Sequence, residues 1–234
     1  MKTLLKLSAL LALGALTIPV RGVEVESCKV EPTFIPRLSP VMQMDGITGG
    51  RLVVAIDVSA EGKLTDWLVL GYTHRALVDP VVQAMQDWKF TPARVNGRPA
   101  GVHTKLTIDY SAEGVVISRA PSVDVEQYTQ RMVGYRFVDR VCASQEIDAV
   151  PARVATAMPS YPKDALDHGV KGTVRVHFYI DANGTVRMPS VDPDVNPYLG
   201  DLAVAAIREW KFAPPTARGK PVTIAARQDF RFGL

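Results

Sequence analysis

A domain-sized internal repeat dominates this sequence. Shifted by 122 residues, the segment from Gly50 to Tyr110 aligns without a gap on the segment from Gly172 to Phe232. The alignment superposes rare or structurally special residues, in these pairs: Trp88-Lys89-Phe90 with Trp210-Lys211-Phe212, Pro92 with Pro214, and Gly62 with Gly184. A constant offset of this length indicates a duplicated domain, since solenoid repeats have periods of roughly 20–50 residues.

The residue pattern within each copy predicts two strands, a helix and a third strand. In the second copy, residues 172–180 alternate between apolar and polar, as in a half-buried strand. Residues 181–184 have the Asn-Gly chemistry of a hairpin turn, and 199–210 carry apolar residues at helical spacing. We therefore predict an α+β fold of two tandem domains, each a small antiparallel β-β-α-β sheet packed on one or two helices.

The N-terminus has the features of a secretory signal peptide. Lys2 and Lys6 precede an apolar run, 7–20, that is short for a membrane span of about 20 residues. We interpret residues 1–22 as a cleaved signal and expect the mature protein in the periplasm. The alternative is an uncleaved signal that anchors the same protein in the inner membrane.

The repeat and the signal divide the chain into four parts. The expected parts are the signal peptide at 1–22, a first domain at 23–117, an interdomain segment at 118–143 and a second domain at 144–234. Because the interdomain segment contains aromatic residues such as Phe137, we expect it to be ordered and packed.

The charge balance argues against a polyanionic partner. The whole chain has 27 basic and 24 acidic residues, and removal of 1–22 removes Lys2, Lys6 and Arg21 but no acid. The mature chain is therefore neutral, and no cluster of Lys or Arg marks a face for nucleic acid or for a membrane surface.

Two cysteines, Cys28 and Cys142, each precede one copy of the repeat. In an oxidising compartment an even pair suggests a disulfide, which here would close a loop of more than 100 residues. We expect this bridge, with two free thiols as the alternative.

The residues shared by the two copies have structural interpretations. Trp88 and Trp210 fall on the apolar stripe of each helix and are expected to anchor the cores. Lys89 and Lys211 are expected to be solvated or to lie over the helix C-terminus, where a cation is favoured. Gly62 and Gly184 are expected to be turn residues, and Pro92 and Pro214 to follow the helices.

Sequence motifs for catalysis or metal binding are not evident. The four histidines, His74, His103, His168 and His177, lack the spacing of a helical metal pair, and no cysteine pair accompanies them. A nucleophile elbow and a phosphate-binding glycine loop are also missing. We expect no enzyme activity, no cofactor or metal, and no small-molecule substrate.

The second copy resembles the TonB C-terminal domain family. The resemblance rests on Tyr161-Pro162, on Gly172 through Gly184, and on Trp210-Lys211-Phe212-Ala213-Pro214. The first copy matches from Gly50 onward but lacks the Tyr-Pro leader. Together the two copies cover most of the mature chain.

This resemblance implies a periplasmic binding or adaptor protein associated with energy-dependent transport. In that family the domain binds TonB-dependent outer-membrane receptors, whose extended TonB box adds a strand to the sheet edge. The matching edge here is the last strand, 224–232, with the leader near Tyr161 beside it. The residues that the resemblance assigns to partner binding are Tyr161, Pro162, Ile224, Ala226, Gln228 and Phe230.

Departures from the family keep a second function in view. A complete TonB has a membrane-spanning helix for the ExbB–ExbD motor and a long Pro-rich spacer, and neither pattern is visible in this sequence. The alternative is a structural or scaffolding module that forms a dimer by strand exchange or associates with peptidoglycan. A free sheet edge would favour the adaptor, and edge-to-edge pairing of the two copies would favour the scaffold.

Overall fold

The chain folds into two α+β domains, which confirms the predicted fold class. The computed structural model describes residues 25–26, 28–95, 97–121, 137–162, 170–192 and 195–233. The proposed signal peptide lies outside these residues. So does segment 163–169 after Tyr161-Pro162, where the sequence predicts a short helix at 163–168. Within the described ranges, no helix is long and apolar enough to cross a membrane.

Strands make up most of the regular structure, and few helices accompany them. In chain order, the strands are β1 Val25–Glu26, β2 Lys29–Glu31, β3 Gly50–Val58, β4 Leu64–Tyr72, β5 Lys89–Thr91, β6 Ala93–Val95, β7 Arg98–Ala100, β8 Val102–Tyr110, β9 Val115–Pro121, β10 Asp139–Arg140, β11 Arg153–Ala155, β12 Gly172–Ile180, β13 Val186–Val191, β14 Lys211–Phe212, β15 Thr216–Ala217, β16 Lys220–Pro221 and β17 Ile224–Phe232. The helices are α1 Pro40–Met44, α2 Val78–Met85 and α3 Pro197–Arg208, with a 3-10 turn at Arg75–Leu77 before α2.

Each domain is organised around one antiparallel sheet. The first sheet has the order β10-β4-β3-β8-β9, and the second has the order β13-β12-β17. Strands β3, β4 and β8 of the first sheet correspond to β12, β13 and β17 of the second. Short strand pairs, β2 with β5 and β11 with β14, extend the two domains in the same way.

The first sheet is larger than the repeat predicts. Strand β9 pairs with β8 along its whole length, and β10 pairs with the end of β4. Both strands draw on the segment that the sequence assigned to the interdomain region. Strand β9 lies outside the aligned repeat segments and its alternation is short, so the sequence pattern did not predict it as part of the sheet.

One helix covers one face of each sheet. In the second domain α3 begins at Asn196, whose side chain accepts hydrogen bonds from the N–H groups of Tyr198 and Leu199. The alternation of β12 places Val174, Val176, Phe178 and Ile180 against this helix, all of them buried. The equivalent residues of β3 are Leu52, Val54, Ile56 and Val58, which are buried in the first core.

The Trp-Lys-Phe segments tie each helix end to the rest of its domain. Trp88 and Trp210 are 5% and 4% exposed, and their indole N–H groups donate to the carbonyls of Phe34 and Ala157, at 2.8 Å each. Because Phe34 and Ala157 lie in the segments that precede the two repeats, each tryptophan fixes a leader against its domain. The lysines that follow, Lys89 and Lys211, are exposed.

The first copy has a leader of the same structural role despite its different sequence. Ser39 caps α1 by accepting a hydrogen bond from the Met42 N–H, and Leu38 and Met42 pack on the first core. The first leader therefore packs on its domain without the Tyr-Pro sequence.

The two domains contact each other through the sheet faces opposite those covered by α2 and α3. Val53, Ala55 and Leu70 of the first domain form a buried cluster with Tyr179 and Met188 of the second, and Phe137 and Val141 from the connecting segment complete it. The Arg187 guanidinium reaches across to the Asp66 carboxylate, at 2.7 Å, and to the Trp67 carbonyl. Phe137 and Val141 of the interdomain segment are thus packed, while residues 122–136 of that segment lie outside the described residues.

The structure does not contain the Cys28–Cys142 disulfide that the sequence led us to expect. Both cysteines are unpaired and buried. Cys28 belongs to the first core and Cys142 to the second. Both side chains therefore act as small apolar groups in separate cores.

Substitution of Gly184 tests whether the close approach of the Trp-Lys-Phe strand to the hairpin turn contributes to stability. Its φ is +79°, and a Cβ placed there would collide with the Phe212 carbonyl oxygen. Gly219 has a similar φ of +71° but no atom within 4 Å of an added Cβ. We expect Gly184→Ala to lower the free energy of unfolding by about 3 kcal/mol and Gly219→Ala by about 1 kcal/mol.

Urea denaturation followed by tryptophan fluorescence would measure both variants. Equal losses for Gly184→Ala and Gly219→Ala would show that only the backbone conformation matters and that the close approach to Phe212 contributes nothing.

The state of the cysteines can be measured by thiol titration without reductant. Burial raises the pKa of the Cys28 thiol, and burial together with the nearby Glu146 carboxylate raises the pKa of the Cys142 thiol. Both thiols are therefore protonated at neutral pH and poor nucleophiles. We expect two reactive thiols per chain in guanidinium chloride and slow reaction of the native protein. A value near zero after denaturation would establish the disulfide instead.

Candidate strand-binding site

Strand β17 forms an edge of the second sheet. Its nine residues pair with β12 on one side, from Gly172↔Phe232 to Ile180↔Ile224. On its other side, within the described part of the chain, the only pairing is an isolated bridge between Cys142 and Ile224 at the start of the strand. Among the described residues the rest of β17 therefore has no strand partner on this side, the feature that allows a sheet to accept a further strand.

The bridge at Cys142 shows which residues direct their backbone groups to this edge. The Cys142 N–H donates to the Thr223 carbonyl, at 2.7 Å. Because backbone groups alternate sides along a strand, the N–H and C=O groups of Arg227, Asp229 and Arg231 point to the same edge as those of Thr223. All three side chains are exposed.

A groove runs beside β17, between the strand and the leader of the second domain. Its volume is about 520 Å³, and its lining includes Arg153, Met158, Tyr161, Trp210, Phe230 and Phe232. A second cavity, where β4 and β10 meet residues 221–223, has only about 110 Å³ and is too small for an extended peptide. The groove is thus the feature that could hold side chains of a segment lying along β17.

Aromatic contacts build the walls of the groove. The rings of Tyr161 and Phe232 meet edge to face at 5.5 Å, and those of Trp210 and Phe230 at 5.8 Å. The Tyr161 hydroxyl donates to the Val170 carbonyl, which fixes the leader near the end of β17. Met158 is 82% exposed at the rim.

A chain of polar contacts crosses the edge in the middle of β17. The Arg153 guanidinium lies over the Trp210 ring, 4.9 Å from its centroid, and donates to the Gln228 side-chain carbonyl at 2.9 Å. The Gln228 amide donates in turn to the Asp229 backbone carbonyl, at 2.7 Å. This contact occupies one of the acceptors that face the edge, so an added strand would have to displace the Gln228 side chain.

The exposed face of the sheet beside the edge carries an ion pair. Arg175 of β12 donates to the Asp229 carboxylate at 2.8 and 3.1 Å. Hydrogen bonding from Arg175 lowers the pKa of Asp229. The carboxylate is therefore ionised at neutral pH, and the guanidinium and carboxylate restrain each other on the surface.

The residues assigned to partner binding from the sequence fall into two groups. Tyr161 and Gln228 line the groove, and Pro162 follows Tyr161 in the half-buried part of the leader. Ile224 and Phe230 are 5% exposed, and Ala226 packs partly against the second core. Of Ile224, Ala226 and Phe230, Phe230 is the one that also lines the groove. Direct contact of these six residues with a partner stays a prediction.

Sequence reasoning missed several groups at this edge. Arg153 and Met158 belong to a segment without regular periodicity, and the helical stripe identifies Trp210 only as a core residue. The backbone groups of Arg227, Asp229 and Arg231 could be assigned only from the strand order and the Cys142 bridge. The alternation of β17 signalled the face of each side chain but not the edge that the backbone presents.

The arrangement suits recognition of a peptide more than chemistry on a small molecule. The groove combines aromatic surface with an unpaired strand edge, and its titratable groups include arginines and one paired carboxylate. Among the described residues, no group of three or more His, Cys, Asp or Glu side chains could hold a metal ion.

Comparison with known proteins places these features in a family. The sequence model described as "Gram-negative bacterial TonB protein C-terminal" matches residues 40–112 and again 157–234. The first match begins at α1 and therefore includes the leader helix of the first domain.

Individual relatives match over one part of the chain. Protein TonB of Vibrio cholerae serotype O1 is 32% identical over 100 residues, which are 39% of this chain and 41% of that protein. Protein TonB of Xanthomonas campestris pv. campestris (strain B100) is 36% identical over 77 residues, 32% of this chain and 34% of that protein. The match spans less than half the length of either relative. Since the family model covers more than half of the chain, in two tandem segments, the protein belongs to the family of Gram-negative bacterial TonB C-terminal domains.

Proposed function

We propose that the protein is a binding adaptor of the bacterial envelope that accepts an extended segment of a partner as an additional strand at β17. The partners proposed are TonB-dependent outer-membrane receptors or other envelope proteins, in support of energy-dependent transport. The proposed location is the periplasm. The relatives named Protein TonB and the family match support this assignment.

One observation carries the proposal: β17 is a nine-residue edge strand with an aromatic groove alongside it. Recognition by strand addition needs both parts, since backbone hydrogen bonds supply affinity and side-chain pockets supply selectivity. Tyr161, Gln228 and Phe230 are the side chains proposed to contact the partner, together with the backbone of Arg227, Asp229 and Arg231.

The scaffold alternative depends on how the edges are used. The two domains contact each other through sheet faces and not by pairing their edges. Among the described residues, the edge of β17 is therefore not consumed beyond the Cys142 bridge. The scaffold could then be a dimer in which two β17 strands pair across a two-fold axis, or a module that associates with peptidoglycan.

Photo-crosslinking in cells tests the proposal directly. A photoreactive residue replaces Arg231, which is exposed and directs its backbone to the edge of β17, and captured proteins are identified by mass spectrometry. We expect outer-membrane receptors among them. Asp109, the equivalent of Arg231 at the 122-residue offset, provides a matched control because β9 covers its edge through the Asp109↔Val116 pair.

The outcome separates the two functions. Self-crosslinks at Arg231 without an envelope partner would replace the adaptor with the scaffold. Equal capture from Arg231 and Asp109 would show that strand addition at β17 is not responsible.

A proline substitution in β17 tests whether the backbone N–H groups at its free edge bind the partner. Arg227→Pro removes an N–H that faces the edge without removing a hydrogen bond to β12, and proline is tolerated on edge strands. Arg227→Ala removes the same charge and keeps the N–H. We expect receptor capture to fall at least about ten-fold, the equivalent of about 1.4 kcal/mol, for Arg227→Pro alone.

The melting temperature is the control for the proline variant. It should stay within a few degrees of the parent value, because no internal ladder bond is lost. Identical capture by the proline and alanine variants would exclude a hydrogen bond at this position.

A further inference from the structure

The two domains differ at the equivalent edge. Strand β8 pairs with β3 from Gly50↔Tyr110 to Val58↔Val102, and β17 pairs with β12 at the same positions once 122 is added. The outer side of β8 is therefore the same place in the fold as the outer side of β17. In the first domain a full strand occupies that place, whereas in the described part of the second domain only the Cys142 bridge touches it.

The occupant in the first domain is β9. It runs antiparallel to β8 from Tyr110↔Val115 to Thr104↔Pro121, after a tight turn in which Ser111 and Gly114 exchange backbone hydrogen bonds. The short turn holds β9 beside β8 at a high effective concentration. A strand of this chain thus already binds one of the two equivalent edges.

The side chains of β9 show what this edge accepts. Val115 and Ile117 are partly buried and pack against the first core, whereas Val116 is 63% exposed. Their partners in β8 are Tyr110 and Ile108. The equivalent residues of β17 are Phe232 and Phe230, which line the groove beside the free edge.

We propose that β9 is a built-in occupant of the ligand edge of the first domain. Of the two equivalent edges, that of β17 is the one that the described residues leave open to a partner. The partner segment that fits it is extended and carries β-branched apolar side chains at two alternate positions, which face Phe230 and Phe232 as Ile117 and Val115 face Ile108 and Tyr110. This inference rests on the proposed function and adds the number of sites and the chemistry of the ligand.

The probe is a capped peptide with the sequence of β9, Val-Val-Ile-Ser-Arg-Ala-Pro, added to the full isotope-labelled chain. We expect chemical-shift changes at residues 227–232 and at Tyr161 and Trp210, and none along β8. A matched peptide with serine in place of the residues corresponding to Val115 and Ile117 should bind at least about ten-fold more weakly, because the groove loses its two apolar contacts.

Other outcomes overturn the inference. Shift changes along β8 in the native chain would show that β9 does not close that edge. No shift changes at either edge, or equal binding of the serine peptide, would remove the ligand chemistry proposed for β17. Receptor capture at Arg231 combined with any of these results would leave the proposed function standing, so the two can fail separately.

A variant of the protein tests whether the edge of β8 binds the same peptide once β9 is weakened. The double substitution Val115→Ser and Ile117→Ser weakens the packing of β9 on the first core, and the peptide should then shift β8 residues as well, with a stoichiometry of two. A stoichiometry of one in the folded variant would contradict the equivalence of the edges. If the variant does not fold, the peptide mapping on the native chain decides.

Discussion

The contact between the Trp-Lys-Phe strand and the hairpin turn organises each domain. The carbonyl of Phe212 lies against Gly184, so close that no side chain fits between them, and the Phe212 N–H donates to the Gly184 carbonyl at 2.9 Å. Trp210, two residues earlier, follows the end of α3, is buried in the core and holds the leader through its indole N–H. Hairpin, helix and leader therefore meet at three consecutive residues. The leader in turn forms one wall of the groove, so the geometry of the candidate site depends on this contact.

The internal repeat made most of this architecture predictable. Alternation in 172–180, the Asn-Gly turn and the helical spacing of 199–210 define the sheet and its helix, because each pattern reflects which side is buried. The burial of Trp88 and Trp210 followed from the same stripe. These features depend on the local periodicity of apolar residues, which can be determined from a single sequence.

The remaining features depend on long-range pairing. Strand β9 lies outside the two aligned segments of the internal repeat, and its pairing with β8 could not be predicted from its seven residues alone. The leader of the first domain lacks the Tyr-Pro sequence and is held instead by the helix cap at Ser39 and the Phe34 carbonyl. The disulfide prediction was wrong for a related reason. An even number of cysteines in an oxidising compartment suggests a bridge, but only the fold shows that Cys28 and Cys142 belong to different cores. The same limit applied to the edge of β17, whose exposure depends on strand order.

The position of β17 at the sheet edge also has a mechanical consequence. Ladder hydrogen bonds in a sheet lie nearly perpendicular to the strand axis. A tension applied along a segment paired with β17 would therefore load all its bonds together in shear, whereas a tension applied across the sheet would open them one after another. The same set of contacts would resist pulling in the first direction and release in the second. The second domain is held against the first through Tyr179, Met188 and the Arg187–Asp66 pair. Its orientation would therefore determine whether tension on a bound partner acts along β17 or across the sheet.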